Sequence, residues 1–236
     1  MGKFLNFQAS FFGNFDSIKY DTETIKKFLS SFSSYTPKPI PFTSIDIRTN
    51  RLVNDNRLQL VSRDNSFFIT FLPERIDLTF AWREGSSEKN EPEELKNIII
   101  QNINLLKDLL IDVSSNRLAA SCNLLFDYDK EKINNIILQY SNRYDFFEKK
   151  ETMLEWQIRY NYRMKLLFNG KEEESNHIID ISIPQIKDLQ NSLFFLIDIN
   201  TNPENIDLRF SLDDLNSYIE EATKKIKGYF NRFKNE

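Results

Sequence analysis

Residues 58–80, LQLVSRDNSFFITFLPERIDLTF, predict three consecutive antiparallel strands joined by two tight turns. The turns are Asp64–Asn65 and Pro73–Glu74, which contain residue types that two-residue hairpin turns favour. Pairing across these turns sets Leu60 opposite Ile69 and Ile69 opposite Leu78, so that apolar residues meet on one face. A slip of one residue would turn all of them to the other face, and the pattern therefore fixes the register.

The second half of the chain contains an equally regular hairpin. Residues 154–166 alternate apolar and polar side chains, and the Asn-Gly pair at 169–170 is a strong hairpin turn signal. Folding at this turn sets Ile158 opposite Ile181 and Arg159 opposite Asp180. Apolar residues then meet on one face and opposite charges meet on the other, which supports this register.

Caps and prolines mark several other elements. Asp21 predicts the start of a short helix, and Ser211, with Asp214 three residues later, predicts the start of the last helix. Pro92 suits the first turn of a long helix that runs to about Val113. Three prolines predict an extended connector, because each disfavours helix at the residue before it. They are Pro37, Pro39 and Pro41.

The order of the predicted elements occurs twice. In each half, a strand, a short helix, several antiparallel strands and a long helix follow one another. The sequence therefore predicts an α+β fold of two similar lobes, residues 1–114 and 115–236, each an antiparallel sheet with a short and a long helix. The two lobes are expected to pack together as one unit. A repeated Ile-Asp-Leu tripeptide, at 76–78 and at 206–208, adds weakly to the evidence for an internal duplication.

The composition excludes several classes of function. The 5 glycines are scattered singly, whereas a phosphate-binding loop needs several close together. The formal net charge of -4 argues against a broad electrostatic hold on nucleic acid or on an anionic membrane. The single cysteine, and the lack of any stretch typical of a signal peptide or a membrane span, indicate a cytoplasmic protein. We predict no cofactor and no membrane partner.

The run Ile69–Arg83, ITFLPERIDLTFAWR, resembles a pattern in a sporadically distributed, uncharacterised bacterial family. In that family, a hairpin that turns at a Pro-acid-Arg step leads into Trp-Arg, a long helix and a strand like the one at 117–125. The similar segment covers about residues 55–127. The resemblance implies a two-lobed α+β build and supplies no catalytic residue. Such families are often carried in mobile or defence-related operons, which implies an accessory subunit of a defence-like (antiviral) complex.

Candidate catalytic and metal-binding residues are few. His177 is the only histidine, so a Ser-His-Asp triad or a Cys-His pair would have to use it, and a zinc site would have only Cys122 and carboxylates besides. The predicted register instead sets His177 opposite Tyr162 as a partly buried strand residue, and Cys122 points into the core. We therefore predict no catalytic and no metal-binding residue.

Five aspartates lie in strand-like Ile-Asp contexts, on the polar faces of the predicted strands. A cluster of such carboxylates could bind Mg²⁺ and serve a metal-dependent hydrolase. No accompanying acid-plus-Lys motif marks such a site, so we expect solvated or structural roles. These residues are Asp46, Asp77, Asp180, Asp198 and Asp207.

One face of the long strand in the second half carries a basic stripe. It consists of Arg159, Arg163 and Lys165, with Tyr140 and Tyr144 shortly upstream. Basic groups interleaved with aromatic rings can bind single-stranded nucleic acid. Here the tyrosines of the strand itself point to the opposite face, and acidic residues on the paired strand neutralise part of the charge. We expect a solvated sheet face, with nucleic acid as a less favoured partner.

Apolar residues outnumber the positions that one core face needs, above all on the long helix that begins at Pro92. We interpret the surplus as an interaction surface. Its residues are Ile100, Leu105, Ile111, Phe68 and Leu72. The leading hypothesis is a non-enzymatic interaction or scaffold module that binds another protein chain, either an operon neighbour or a second copy. The alternatives are a ligand or nucleic-acid sensor with its site between the lobes, and a metal-dependent hydrolase that uses strand carboxylates.

Overall fold

The structure is a computed structural model that describes residues 2–46, 51–82, 91–140, 156–184, 189 and 191–235. Its strands are β1 (Gly2–Phe12), β2 (Tyr35–Asp46), β3 (Arg51–Ser62), β4 (Phe67–Leu72), β5 (Arg75–Ala81), β6 (Arg117–Asp127), β7 (Gln157–Phe168), β8 (Lys171–Ser182) and β9 (Ser192–Thr201). Its helices are α1 (Thr22–Ser31), α2 (Pro92–Leu109), α3 (Lys130–Tyr140) and α4 (Leu212–Asn235). Arg83, Tyr144 and the predicted strand start at Leu154 lie outside the described residues.

The prediction of an α+β fold is confirmed, but the strands of the two halves join in one sheet. The nine strands lie in the order β2-β3-β4-β5-β1-β6-β9-β8-β7, and all neighbours are antiparallel. In each half the first strand pairs with the last one, and the two first strands pair with each other, with Ala9 opposite Ala120. The expected separate sheets are therefore replaced by a continuous one. The sequence does not show this junction, because β1 and β6 carry the same apolar pattern as strands that pair only within their own half.

The predicted hairpin registers are confirmed. Leu60 pairs with Ile69, and Ile69 pairs with Leu78. In the second half, Ile158 pairs with Ile181 and Arg159 pairs with Asp180. Asn169 and Gly170 have φ values of 48° and 71°, the left-handed conformation that a two-residue hairpin turn of this type requires.

A bulge near the start of β1 changes which side chains enter the core. The pairing of β1 with β6 shifts between Phe4 and Asn6, so that Leu5 is the extra residue. Phe4 is fully buried and stacks on Phe230 of α4 with ring centroids 5.1 Å apart. Leu5, which strict alternation places in the core, is only half-buried.

The segment predicted as an extended connector is the edge strand β2. Its prolines pair with Leu60, Leu58 and Asn56 of β3. Pro37, Pro39 and Pro41 alternate, so the positions without an N–H lie on the same side of the strand. A proline fits into a paired strand where the N–H that it lacks would point away from the neighbouring strand. The side of β2 that carries the three prolines is therefore the outer edge of the sheet. The sequence did not predict this strand, because prolines are uncommon in β-strands.

The four helices cover one face of the sheet and close a single hydrophobic core. Helix α1 packs Phe28 against Phe71 of β4, at 4.7 Å between ring centroids. Helix α4 lies antiparallel to α2, because Glu93 contacts Lys227 at 3.7 Å and Asn104 contacts Asn216 at 2.8 Å. Helix α2 ends at Leu109 rather than near Val113. None of the helices in the described part of the chain has the length and apolar character needed to cross a bilayer.

Helix starts follow the predicted caps. The Asp21 carboxylate accepts a hydrogen bond from the backbone N–H of Thr24 at 2.9 Å. At the start of α4, Ser211 and Asp214 cap each other's backbone N–H groups, at 2.9 and 3.2 Å. Both arrangements satisfy N–H groups that have no partner inside the first helical turn.

Candidate interaction surface

The sheet face opposite the helices, called the open face below, is polar at its centre. Two cross-strand rows run over β5, β1, β6 and β9. One row is Thr79, Gln8, Ser121 and Asp198, and the other is Asp77, Ser10, Ala119 and Asn200. The Thr79 hydroxyl donates to the Gln8 amide oxygen at 3.2 Å, and the Gln8 amide donates to Ser10 at 3.0 Å. With the bond from the Ser10 hydroxyl to Asp77, these contacts form a connected hydrogen-bond network on β5 and β1.

Asp77 is the buried acid of this network. Only 6% of the residue is exposed, and its carboxylate accepts a hydrogen bond from the Ser10 hydroxyl at 2.6 Å. The Arg75 guanidinium donates to the same carboxylate through Nε at 2.8 Å. Burial raises the pKa of Asp77 above its usual value, although both partners oppose this shift. The environment is typical of a satisfied structural carboxylate.

Asp198 is a second acid on the open face, and it is half-buried. Burial raises its pKa, while the Asn200 amide, which donates to it at 3.3 Å, and the charges of Arg117 and Arg159 act in the other direction. Asp77 lies on β5 and Asp198 on β9, so β1 and β6 separate the two carboxylates.

The aspartates of the hydrolase alternative lie in different parts of the fold. No group of three or more His, Cys, Asp or Glu side chains is arranged to hold a metal within the described ranges. Asp207 lies in a loop rather than in a strand, which corrects its predicted position. Asp46 ends the edge strand β2, and Asp180 lies on β8, next to the other edge strand.

A cluster of two guanidinium groups and a ring, called the Arg117 site, lies at the end of the open face. Phe12 pairs with Arg75 of β5 on one side and with Arg117 of β6 on the other. The two guanidinium carbons lie 6.0 and 4.6 Å from the centroid of the Phe12 ring, within the range of cation–π contacts. The sequence does not indicate this cluster, because the three residues belong to three strands that are distant in the chain.

Arg117 differs from Arg75 in its partners. Arg75 is paired with Asp77, whereas the Arg117 side chain makes no hydrogen bond or ion pair with any residue that the structure describes. Its Nε atom is buried and has no hydrogen-bond partner among the described residues. A half-buried cation without a hydrogen-bonded anion is unfavourable, so such a group requires an explanation.

Three exposed apolar residues, called the apolar end surface, lie at the same end of the molecule. Ile206 and Leu208 belong to the loop between β9 and α4 and are 77% and 65% exposed, and Ile111, just after α2, is 75% exposed. The backbones of Ser115 and Phe210 hydrogen-bond to each other at 2.8 and 3.0 Å, which joins this loop to the segment after α2. Lys107 of α2 also contacts Asp213 at the start of α4.

Arg209 holds the loop of the apolar end surface in place. Its Nη1 donates to the carbonyl oxygens of Asn205, Asp207 and Asn116 at 3.1, 3.3 and 2.7 Å. The guanidinium also pairs with Glu173 at 3.4 Å. Ile206 and Leu208 are therefore exposed from a loop whose conformation is fixed by hydrogen bonds.

The residues of the predicted interaction surface differ in their exposure and in their location in the structure. Ile100 and Leu105 are partly buried and pack against the core, and Ile100 shares a helix stripe with Glu93 and Asn104, which contact α4. Phe68 and Leu72 are half-buried on the side of β4 opposite the described helices. Only Ile111 is largely exposed. The sequence pattern missed Ile206 and Leu208, because their tripeptide matches that of a buried strand.

The predicted basic stripe lies on the edge strand β7, and each of its bases pairs with an acid. Arg159 lies 3.9 Å from Asp180, Arg163 lies 3.5 Å from Glu174, and Lys165 lies 2.6 Å from Glu172. Ion pairs of this kind cancel the local field that would attract a nucleic-acid backbone. The arrangement therefore resembles a solvated sheet face.

His177 and Cys122 are both fully buried on the helix-covered face. The His177 ring stacks on Tyr162 at 5.3 Å between centroids, as its predicted position opposite that residue implies. Its Nδ1 lies 3.4 Å from the Tyr229 hydroxyl, and its Nε2 has no partner among the described residues. Burial lowers the pKa of His177 to about 4, and the charge of Lys225 adds to this effect. Burial raises the pKa of the Cys122 thiol, so it is protonated and unreactive at neutral pH.

No family model matches the chain, and comparisons with curated proteins and with solved structures find no match either. The resemblance of Ile69–Arg83 to a bacterial family therefore stays a prediction.

Ile100→Glu and Ile111→Glu are expected to differ in stability. The first should lower the free energy of unfolding by about 1 to 3 kcal/mol, because it forces a carboxylate against the core. The second should change it by no more than about 0.5 kcal/mol, because the side chain is in water. Urea denaturation of both variants measures the difference. Equal losses would contradict the positions given to these residues.

Proposed function

We propose that this protein is a non-enzymatic interaction module that binds another protein chain through the apolar end surface. The observation that carries the proposal is the exposure of Ile206 and Leu208 on a loop that Arg209 fixes in one conformation. Exposed apolar side chains cost little entropy to bind when they are already ordered. The partner that we propose is an operon neighbour or a second copy of the chain.

The alternatives receive less support. A ligand site between two lobes needs a cleft, whereas the two halves share one sheet and one core. A metal-dependent hydrolase needs carboxylates that converge, whereas β1 and β6 separate Asp77 from Asp198. Neither alternative is therefore favoured over protein binding.

The double variant Ile206→Glu/Leu208→Glu tests the proposal. Wild-type protein, purified under native conditions from its own host, is expected to carry one stoichiometric partner or to dimerise in light-scattering chromatography. The double variant should lose that association, because charge replaces the buried contact, and should keep its unfolding midpoint. The matched control is Leu138→Glu, since Leu138 is also exposed but lies on α3. Association that survives the double substitution would refute the proposed surface.

We also propose that the two halves arose by internal duplication. In each half, a serine of the first strand lies opposite an aspartate of the last strand. The pairs are Ser10 with Asp77 and Ser121 with Asp198. Each serine directly follows one member of the central Ala9–Ala120 pair. A two-fold axis through that pair would therefore relate the two Ser–Asp pairs to each other. The counterpart of Asp77 would then be Asp198 rather than Asp207. An experimental structure in which these pairs do not superpose would contradict this.

A further inference from the structure

We infer that the Arg117 site binds the carboxylate of an aspartate or glutamate side chain that the protein partner supplies. This inference rests on the proposed function, and it names the chemistry that the partner brings. The Arg117 site is linked to the loop of the apolar end surface, because Asn116 precedes Arg117 and its carbonyl oxygen accepts a hydrogen bond from Arg209 of that loop. One partner segment can therefore contact both.

The first argument is the unused end of the Arg117 guanidinium. Nε is buried and faces no anion from outside, whereas neither Nη atom is among the buried atoms without a partner in the described part of the chain, and the Phe12 ring lies against the guanidinium. The two Nη atoms at the end of the group offer parallel N–H groups, which match the two oxygens of a carboxylate. The ring contact restrains the guanidinium, so less side-chain freedom is lost when the anion binds.

The second argument is charge. Arg75 is neutralised by Asp77, whereas no acid forms an ion pair with Arg117 in the described part of the chain. Asp198 acts on Arg117 only through its charge at longer range. Arg117 therefore lacks an anion in direct contact. A carboxylate supplies one, whereas a dianionic phosphate would bring a second charge toward the Asp77 and Asp198 carboxylates.

The third argument is the combination of groups. Binding energy at protein interfaces concentrates on a few arginine and large apolar residues that are shielded from water. Arg117 is half-buried, and the residue before it, Asn116, is hydrogen-bonded to Arg209 of the loop that carries Ile206 and Leu208. We expect a partner that covers this loop to shield the Arg117 site as well. Desolvation by these contacts strengthens an arginine–carboxylate pair.

The first experiment tests the site without the partner. Acetate, chloride and inorganic phosphate are titrated into the full chain at constant ionic strength, and the Nε–H resonances of the arginines are recorded by NMR. The Arg117 resonance is identified by its loss in Arg117→Lys. Acetate is expected to shift it saturably, and chloride is not. A shift shared by all arginines, or tighter binding of phosphate than of acetate, would overturn the carboxylate assignment.

The second experiment uses the association of the wild-type chain. Arg117→Gln is expected to weaken it at least tenfold, whereas the control Arg159→Gln, on an exposed base that already has a partner, leaves it unchanged. If Ile206→Glu/Leu208→Glu abolishes association and Arg117→Gln does not, the proposed function stands and the inference is wrong. If neither variant affects association, both are wrong.

Discussion

Leu78→Ala is expected to lower the free energy of unfolding by about 2 to 5 kcal/mol, the range for removing a large aliphatic side chain from a core. Leu78 is fully buried on β5, between Ala9 of β1 and Ile69 of β4. The strands on both sides are held by their own neighbours, so the surroundings cannot close the cavity. Urea or guanidinium denaturation, followed by tryptophan fluorescence and circular dichroism, measures the loss.

Ile158→Ala is the matched control for this prediction. The pattern of the sequence places Leu78 and Ile158 on equivalent apolar faces and predicts equal losses. In the structure, Ile158 is only half-buried on the edge strand β7, so its truncation should cost about half as much. Equal shifts in the two unfolding midpoints would contradict the position of β7 at the edge.

Acidification from pH 7 toward pH 4 is expected to destabilise the protein by up to roughly 3 kcal/mol through His177 alone. The pKa of His177 is about 4 in the folded chain, whereas an unperturbed histidine, as in the unfolded chain, has a pKa of 6.5. Between these values the unfolded chain binds the proton more readily, so the free energy of unfolding falls as the pH drops. The stabilisation that comes from keeping His177 neutral is fully present above pH 6.5. Denaturation midpoints measured at several pH values give the slope.

His177→Phe isolates this effect. The phenyl ring keeps a stacking partner for Tyr162 and cannot take up a proton. Asp77 and Asp198 act in the opposite sense, because their raised pKa values favour the folded state as the pH falls. The test therefore compares the slope of the free energy of unfolding against pH in the wild type with the same slope in the variant. Equal slopes, or loss of partner binding at pH 7 with stability unchanged, would refute a purely structural role for His177.

Local patterns predicted much of this fold. The alternation around Ile69 and Leu78, the turn at Asn169 and the cap at Asp21 are each decided by residues close in the chain. Such features depend on side-chain periodicity and on backbone preferences of single residues, which a sequence displays directly. The registers and helix starts were therefore predictable.

The remaining features depend on contacts between distant segments. The pairing of β1 with β6 joins residues more than a hundred positions apart, and nothing in either strand distinguishes that partner from others. The Arg117 site combines Phe12, Arg75 and Arg117, whose roles follow only from adjacent strands. Ile206 and Leu208 share a tripeptide with a buried strand, and only their loop position exposes them. Composition and spacing carry no information on these arrangements.

The alternating prolines of β2 also limit how copies of this chain could polymerise. An edge without N–H donors at Pro37, Pro39 and Pro41 is a poor template for another strand, so we expect the sheet to be extended from β7. Two chains that pair through their β7 strands leave neither β7 edge free, and the resulting dimer has a proline-containing β2 edge at each end. Chain growth of the kind that builds fibrils would thus terminate after one step, as a monomer with a single reactive end terminates a polymer.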